Sequence, residues 1–236
     1  MMTWNIQHGY NVSGVYDLLS QVQFMVAQNP DVIALQEVQT WDVNQPPLLK
    51  SLLEQLTGQT WTLVWAPVNA SAGTEGNVLL TRLPLVSSAV QQLHATSDWT
   101  VLLANRSVAQ AMILVNSVPV NVFATHLDYA NGSYRTTQEQ QLMAWQWNFS
   151  GPRLTGGDFN SWWGESWITT MKTQNTDTWH DVTGLQDLGY TVNQAVRFDY
   201  IFRSIDNNWR VTPTNCFAPV TSFSDHNPVV ADFTVQ

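Results

Sequence analysis

The chain has 236 residues, of which 44% are hydrophobic, so it is long and apolar enough to bury a core without disulfides. No apolar run approaches the ~20 residues of a membrane span, so we expect no transmembrane segment. The net charge of −9 argues against a protein that binds polyanions by charge alone, because such binding needs a basic patch.

Predicted strands and helices alternate in the first part of the chain. A strand starts near Met1, and apolar residues at helical spacing then predict a helix that ends before Asn29-Pro30. A strand at 32–35 follows, and leucines on one face predict a second helix around 48–56. This alternation is typical of an α/β protein.

Strands dominate the rest of the sequence. They are predicted at 61–64, 77–81, 107–115, 118–124, 153–155, 199–202 and 229–233. Val118-Pro119 indicates a hairpin turn, and a capping box of Thr136 and Glu139 predicts the start of a helix through Trp147. Since no repeat or linker interrupts the pattern, we expect residues 1–236 to form one domain of two stacked sheets with helices outside.

Six short polar runs lie at or beside the ends of these strand-like segments. They are 3–9, 32–38, 125–128, 156–160, 197–201 and 224–228. Their carboxylates and carboxamides suit a hard divalent cation, and their histidines suit acid–base chemistry near neutral pH. The runs therefore predict a site that binds a metal ion and moves a proton.

In this order the six runs resemble those of the endonuclease/exonuclease/phosphatase superfamily, whose best-known member is pancreatic deoxyribonuclease. The resemblance extends from residue 3 to residue 230. It implies a deoxyribonuclease-like four-layer α/β sandwich, in which two mixed β-sheets stack on each other and helices flank them. It also implies a phosphodiesterase that needs Mg²⁺, with Mn²⁺ or Ca²⁺ as alternatives, and a site at one end of the two sheets.

The predicted metal ligands are Asn5, Glu37 and Asp225. Glu37 ends a buried strand, where a carboxylate must be exposed or compensated by a cation. A surface acid is the alternative, but with Asn5 beside it we expect metal ligation. The resemblance gives Glu37 the main role, with Asn5 assisting and Asp225 as a carboxylate on the metal side.

The resemblance assigns the catalytic centre to four residues. Asp158 would activate or orient the attacking water, and Asn160 would contact the phosphate. Gly156-Gly157 would form a tight turn beneath them. The alternative is an Asx-turn, in which Asp158 and Asn160 only cap their own backbone. Asp199 would pair with His226, fixing the tautomer of the imidazole and raising its basicity for general-base catalysis.

Four further polar residues belong to the predicted surroundings of the site. As in deoxyribonuclease-like members, His126 would form a second acid–base pair, oriented by Glu75 just before the next strand. Asp128 is expected to be a loop acid. Arg106 would bind a phosphate oxygen through its planar guanidinium, with a surface salt bridge as the alternative.

The substrate class follows from departures within the family. Abasic-site endonucleases usually read Gln-Glu-Thr-Lys where this chain has residues 36–39, Gln-Glu-Val-Gln, and they usually carry tyrosine in place of His126. With lysine only at positions 50 and 172, the chain is poorly supplied for inositol polyphosphates. A sequence-nonspecific DNA endonuclease remains, with a sphingomyelinase-like phospholipid phosphodiesterase or a catalytically degenerate binding module as alternatives.

Tryptophans at 162, 163 and 167 bear on that choice. They could stack on bases, insert into a lipid interface, or form core for the following helix. Since no long apolar hairpin is present, we expect a nucleic acid substrate, DNA, and a monomeric enzyme. A surface poor in lysine and rich in tryptophan favours an exported protein whose leader has been removed; a cytoplasmic protein is the alternative.

Overall fold

The computed structural model describes residues 1–69, 74–96, 104–186, 189–206 and 210–236. The strands are β1 (Met2–Asn5), β2 (Val32–Gln39), β3 (Thr62–Pro67), β4 (Glu75–Thr81), β5 (Leu85–Leu93), β6 (Arg106–Val115), β7 (Val118–His126), β8 (Arg153–Asp158), β9 (Asn175–Asp177), β10 (Asp199–Ser204), β11 (Val211–Phe217) and β12 (Val229–Val235). The helices are α1 (Leu18–Ala27), α2 (Gln45–Thr57), α3 (Gly132–Gln146), α4 (Ser166–Met171) and α5 (Thr178–Thr183), with a 3-10 turn at Gln7–Gly9.

These strands form two six-stranded sheets. The first has the order β11-β12-β1-β2-β4-β3, and the second has the order β5-β6-β7-β8-β10-β9. β1 runs parallel to β2, and β7 runs parallel to β8. The remaining described neighbours are antiparallel, so both sheets are mixed.

Alternate side chains of one strand enter two different cores. Ile33 and Leu35 of β2 pack with α1 and α2, whereas Val32 and Ala34 pack against the second sheet. Successive residues of a strand point to opposite faces, so a continuous apolar run serves both layers. On the far side, α3 and α4 cover the second sheet around Phe159. This is the four-layer α/β sandwich that the family resemblance implied.

The start of α3 differs from the sequence prediction. Asn131 caps the helix, its Oδ1 accepting a hydrogen bond from Ser133 N at 2.9 Å. Thr136 Oγ1 donates to Gly132 O, and Glu139 Oε1 accepts from the backbone N of Met171 in α4 at 2.9 Å. The predicted capping box is therefore wrong, and Glu139 is a buried contact between two helices.

Glu139 should make the stability of the protein depend on pH. Burial raises its pKa to about 8, so the folded protein holds this carboxyl protonated at neutral pH. A raised folded-state pKa gives stability that is present below the ordinary value of 4.5 and lost as pH rises towards 8. In Glu139→Gln, the amide oxygen still accepts from Met171 without a charge. The variant should therefore gain about 1.4 kcal/mol over the parent for each pH unit between pH 5 and pH 8.

Urea unfolding of both proteins at pH 5, 6.5 and 8 measures this difference. Glu54→Gln is the matched control, because Glu54 is half-exposed and its hydrogen bond from Lys50 lowers its pKa. A carboxylate with a lowered pKa changes the free energy of unfolding below the pH range tested. The stability of this control should therefore vary with pH in parallel with that of the parent. Parallel curves for Glu139→Gln as well would show that Glu139 ionises normally.

Candidate active site

Polar side chains from both sheets meet at one edge of the sandwich. Asn5 is the last residue of β1, His126 is the last of β7, and Asp158 is the last of β8. In the second sheet, the register places both His126 and Asp199 directly beside Asp158. The topology thus brings together residues that lie far apart in the sequence.

Glu37 projects from an irregularity in β2. The register between β2 and β4 shifts between Leu35 and Val38, and Glu37 has a φ of 56°. A bulge redirects a side chain, and a left-handed backbone at a non-glycine residue is strained, a feature that clusters at functional sites. Burial raises the pKa of Glu37, although His8 and a hydrogen bond from Asn5 act in the opposite direction.

Asn5 connects the two sheets. Its Nδ2 donates to Glu37 Oε1 at 2.9 Å and to Asp158 Oδ2 at 3.1 Å, while its Oδ1 accepts from Gln7 N at 3.0 Å. A carboxamide binds a cation through its oxygen. In this arrangement that oxygen faces the backbone, so the predicted ligand role of Asn5 requires its amide to turn over.

Asp158, Asp199 and His226 form a buried cluster at the centre of the edge. His226 Nδ1 lies 2.8 Å from Asp199 Oδ2, and its Nε2 lies 3.8 Å from Asp158 Oδ2. Burial and the Asp199 carboxylate raise the pKa of Asp158 to about 7. Burial lowers the pKa of His226, but Asp199 and Asp158 outweigh it and raise that pKa to about 10.

His126 is held by Asn160 rather than by Glu75. Asn160 Nδ2 lies 2.9 Å from His126 Nε2 and donates to Leu127 O at 3.0 Å. Because a carbonyl oxygen accepts only, the Asn160 amide nitrogen must face both groups, and His126 Nε2 must accept. Burial lowers the pKa of His126 well below its ordinary value, with the Arg106 charge adding to the effect, so this ring is neutral.

Glu75 lies in the cleft but faces a different histidine. Its Oε2 is 3.7 Å from His8 Nδ1, and among the described residues no hydrogen bond or ion pair joins it to His126. The predicted Glu75–His126 contact is therefore absent from this structure. The residue that replaces His126 in this contact, His8, was not among the predicted site residues, although it lies within the polar run 3–9.

Arg106 and Asp128 are buried together. Arg106 is 6% exposed, and its Nη2 lies 3.6 Å from Asp128 Oδ2. Asp128 also accepts hydrogen bonds from the backbone N–H groups of Ala130 and Asn131. Asp128 thus lies in the loop after β7, as predicted, and is buried there. Arg106 keeps one unpartnered group, its buried Nε, among the described residues.

One group whose spacing could accommodate an ion differs from the predicted ligand set. Within the described residues, Asp158, Asp199 and His226 offer ligand atoms that lie within 4.8 Å of one another. Asp225 is exposed and accepts from Ser224 Oγ at 3.3 Å. Asp199 Oδ1 is buried and has no hydrogen-bond partner in the described structure. A buried, unpaired carboxylate oxygen among other carboxylates fits a hard divalent cation.

The glycine pair before Asp158 has a different role from the one predicted. Gly156 and Gly157 lie inside β8 rather than in a tight turn. A β-carbon on Gly157 would overlap the carbonyl oxygen of Thr125 in β7, and one on Gly156 would come within 2.9 Å of Thr3 Cβ in the facing sheet. The pair therefore allows close approach between neighbouring strands and between the sheets.

The tryptophans after Asn160 have different environments. Trp162 is 50% exposed and lines a small cavity with Trp163 and Tyr190. Trp163 stacks on His180 and lies beneath the ammonium group of Lys172, with Nζ 3.6 Å from the ring centroid. The side chain of Trp167 is outside the described residues. Trp162 is thus available to a ligand, whereas Trp163 is packed.

No helix in the described part of the chain has the length and hydropathy needed to cross a bilayer.

Comparison with known proteins identifies the family. Its model, described as the Endonuclease/Exonuclease/phosphatase family, matches residues 2–226. A UPF0294 protein of Vibrio cholerae serotype O1 (El Tor Inaba N16961) is 27% identical over 248 residues, covering 99% of this chain and 76% of that protein.

Two solved structures have the same fold. An endonuclease/exonuclease/phosphatase from Beutenbergia cavernae has a TM-score of 0.79 at 21% identity, over 99% of this chain and 70% of the other. The human nocturnin catalytic domain has a TM-score of 0.76 at 21% identity, over 100% of this chain and 93% of the other. The fold agrees with the family model, and the chain belongs to the Endonuclease/Exonuclease/phosphatase family.

Proposed function

We propose that the protein is a divalent-metal-dependent phosphodiesterase that acts as a sequence-nonspecific DNA endonuclease. Members of its family are hydrolases of phosphoester bonds. The observation that carries the proposal is the 2.8 Å contact of His226 Nδ1 with Asp199 Oδ2, directly beside Asp158. It combines a proton-carrying imidazole with carboxylates that suit a metal ion.

In the proposed reaction, Asp158 takes the proton from the attacking water. A general base works best when its pKa is close to the ambient pH, and the pKa of Asp158 is raised to about 7. With a pKa of about 10, His226 carries its proton at neutral pH. It is therefore better suited to stabilise negative charge on the phosphate than to act as the base, and Asp199 holds its ring in place.

The second histidine is proposed to act as a neutral hydrogen-bond donor. Because His126 Nε2 accepts from Asn160, the ring proton is on Nδ1, and the ring would donate a hydrogen bond through this N–H to a phosphate oxygen or to the leaving-group oxygen, without transferring the proton. Both amide hydrogens of Asn160 are engaged, by His126 and by Leu127 O. We therefore propose that Asn160 serves the reaction mainly by positioning His126.

Carboxylates on both sides of Asn5 are proposed to hold the divalent cation. They are Glu37 on the first sheet and Asp199 on the second, through its unpartnered Oδ1, with Asp225 at the exposed margin. A bound cation would polarise the phosphoryl oxygens and offset their negative charge. The family is typically dependent on divalent metal ions, which supports Mg²⁺ or Mn²⁺ as the ion.

DNA is proposed as the substrate because of the deoxyribonuclease-like pattern, whereas the low positive charge of the chain argues against inositol polyphosphates. Arg106 lines a small cavity together with Glu37 and His126, where its guanidinium would offer one contact to a phosphate. With a net charge of −9, binding should be weak and assisted by divalent cations that screen the backbone. Trp162 offers an exposed surface for stacking on a base, which tolerates any sequence.

Cleavage of supercoiled plasmid tests this activity. With Mg²⁺, the plasmid should pass through a nicked circle before it becomes linear, because a nonspecific endonuclease cuts one strand at a time. Gel electrophoresis follows the three forms. Asp158→Asn, which removes the proposed base, should leave the plasmid supercoiled and so excludes a contaminating nuclease.

A phospholipid phosphodiesterase is the second candidate. Loops at the site edge expose large apolar side chains: Tyr129 is 74% exposed, Trp162 is 50% exposed and Trp41 is 45% exposed. Aromatic residues in such positions also suit a lipid–water interface. Intact plasmid together with rapid release of phosphocholine from sphingomyelin vesicles would reject the DNA proposal and favour this one.

A further inference from the structure

His8 lies in the cleft between Glu37 and Glu75. It belongs to the 3-10 turn after β1, and both Gln7 and His8 have left-handed backbones, with φ of 48° and 55°. Strained residues of this kind persist where the surrounding structure holds them, and they cluster at ligand sites. The ring of Trp41 meets the imidazole edge-on, with centroids 5.0 Å apart, and restricts its movement.

The hydrogen bonds of His8 define which ring nitrogen carries a proton. Nδ1 lies 3.1 Å from the backbone oxygen of Glu37, which can only accept, so Nδ1 is the donor. In a neutral ring the lone pair is then on Nε2, which lies 3.3 Å from Glu37 Oε2. A lone pair that faces a carboxylate oxygen at this distance is repelled, unless a cation or a second proton lies between them.

We propose that His8 Nε2 and the Glu37 carboxylate bind the divalent cation together, and that this nitrogen ligand makes the Glu37 position prefer Mn²⁺ over Mg²⁺. A metal-bound histidine commonly donates its other N–H to a carbonyl or carboxylate, as Nδ1 does to Glu37 O, with Glu75 3.7 Å away. Imidazole suits first-row transition ions, whereas Mg²⁺ prefers an all-oxygen shell. The inference rests on the proposed metal dependence and concerns the ligand shell alone.

A protonated His8 that merely pairs with Glu37 and Glu75 is the competing arrangement. In that case the imidazole would not be a metal ligand, and it would move away from Glu37 when a metal ion bound there. The two arrangements differ in a direct spectroscopic signature, because only a ligating imidazole couples its nitrogen nucleus to the electron spin of Mn²⁺.

Pulsed electron paramagnetic resonance on the full chain with one equivalent of Mn²⁺ detects that coupling. The parent should show nitrogen modulation, and His8→Asn should lose it. Asparagine tolerates a left-handed backbone, and His8→Gly, which suits it better still, is the second variant if the first does not fold. His94→Asn is the matched control: His94 bonds Gln141 of α3 through its backbone N and O, which asparagine keeps, so the variant removes an imidazole outside the proposed ligands and should keep the signal.

Calorimetric titration with Mn²⁺ and with Mg²⁺ gives the second readout. His8→Asn should weaken Mn²⁺ binding about tenfold or more and change Mg²⁺ binding much less, since losing even an outer-shell partner costs ~10–100-fold in affinity. Nitrogen modulation that persists in His8→Asn would assign the ligand to another histidine and overturn the proposal, as would equal losses for both ions. Both readouts measure binding, so failure to cleave plasmid would not affect them.

Discussion

Replacing His226 with alanine should lower the turnover number about 10²-fold or more, the usual contribution of a positioned acid or base. The variant would remove the charge that Asp199 and Asp158 hold at the centre of the site. Folding should survive, because the His226 ring contacts carboxylates rather than the apolar core. His126→Ala should cause a loss of similar size, because His126 is the proposed second donor.

Steady-state kinetics on a generic phosphodiester, with circular dichroism to check the fold, measures this effect. His94→Ala is the control: the hydrogen bonds between His94 and Gln141 of α3 involve the backbone N and O of His94, which alanine keeps, so the variant should stay near the parental rate. Asp199→Asn keeps the shape of the pair but removes its charge, so its loss reports the electrostatic part of the effect. Near-normal rates in both His226→Ala and His126→Ala, with an intact fold, would rule out a two-histidine mechanism.

Removal of divalent metal should abolish hydrolysis altogether. Glu37 is half-buried and Asp158 is buried, and burial raises the pKa of both carboxyl groups, so a bound cation would offset the cost of ionising them together. Activity should vanish in excess EDTA and return when Mg²⁺ or Mn²⁺ is added above the chelator. Carboxylate-rich sites suit these ions, and no cysteine stands among the predicted ligands.

Addition of Mg²⁺ should also stabilise the folded protein. A ligand that binds the folded state alone raises the free energy of unfolding, by about 2.7 kcal/mol at one hundred times its dissociation constant. Thermal unfolding with and without Mg²⁺ provides this check independently of any substrate. Undiminished hydrolysis in EDTA would show that the carboxylates act without a metal ion.

The sequence was most informative at strand ends. A polar residue that follows an apolar run marks where a strand leaves the core, and Asn5, His126 and Asp158 are indeed the last residues of β1, β7 and β8. The β6–β7 hairpin is also where the sequence predicted it, with Asn116 and Ser117 at positive φ in the turn.

Three strands escaped prediction, β5, β9 and β11, because they show no regular apolar alternation. β5 and β9 are the edge strands of the second sheet, and in β5 the exposed Val86 and Val90 stand beside exposed Ser87 and Ser88, so exposure does not follow polarity. β11 is an edge strand of the first sheet and contains Pro213, which usually argues against a strand. Edge strands need to bury only part of their side chains, so hydrophobic periodicity is a weak guide to them.

The partners of the site residues could not be read from the sequence. The motif around Glu75 suggested His126, but the left-handed turn at Gln7–Gly9 brings His8 to that carboxylate instead. Likewise the glycine pair before Asp158 was interpreted as a turn, whereas it lies within a strand. Such contacts depend on backbone angles and on the approach of distant strands, which leave no local pattern.

The amide of Asn5 spans the seam between the two sheets, since Asn5 belongs to one sheet and Asp158 to the other. The spacing of the proposed metal-binding carboxylates is therefore set by how closely the sheets approach, and this distance depends on side chains well below the site, such as Thr3 against Gly156. The rate of hydrolysis should therefore depend on the distance between the two sheets. Substitutions that increase the distance between the sheets would slow hydrolysis before they unfold the chain. Laboratory evolution could therefore change the activity through substitutions between the two sheets, without altering any group that contacts the substrate.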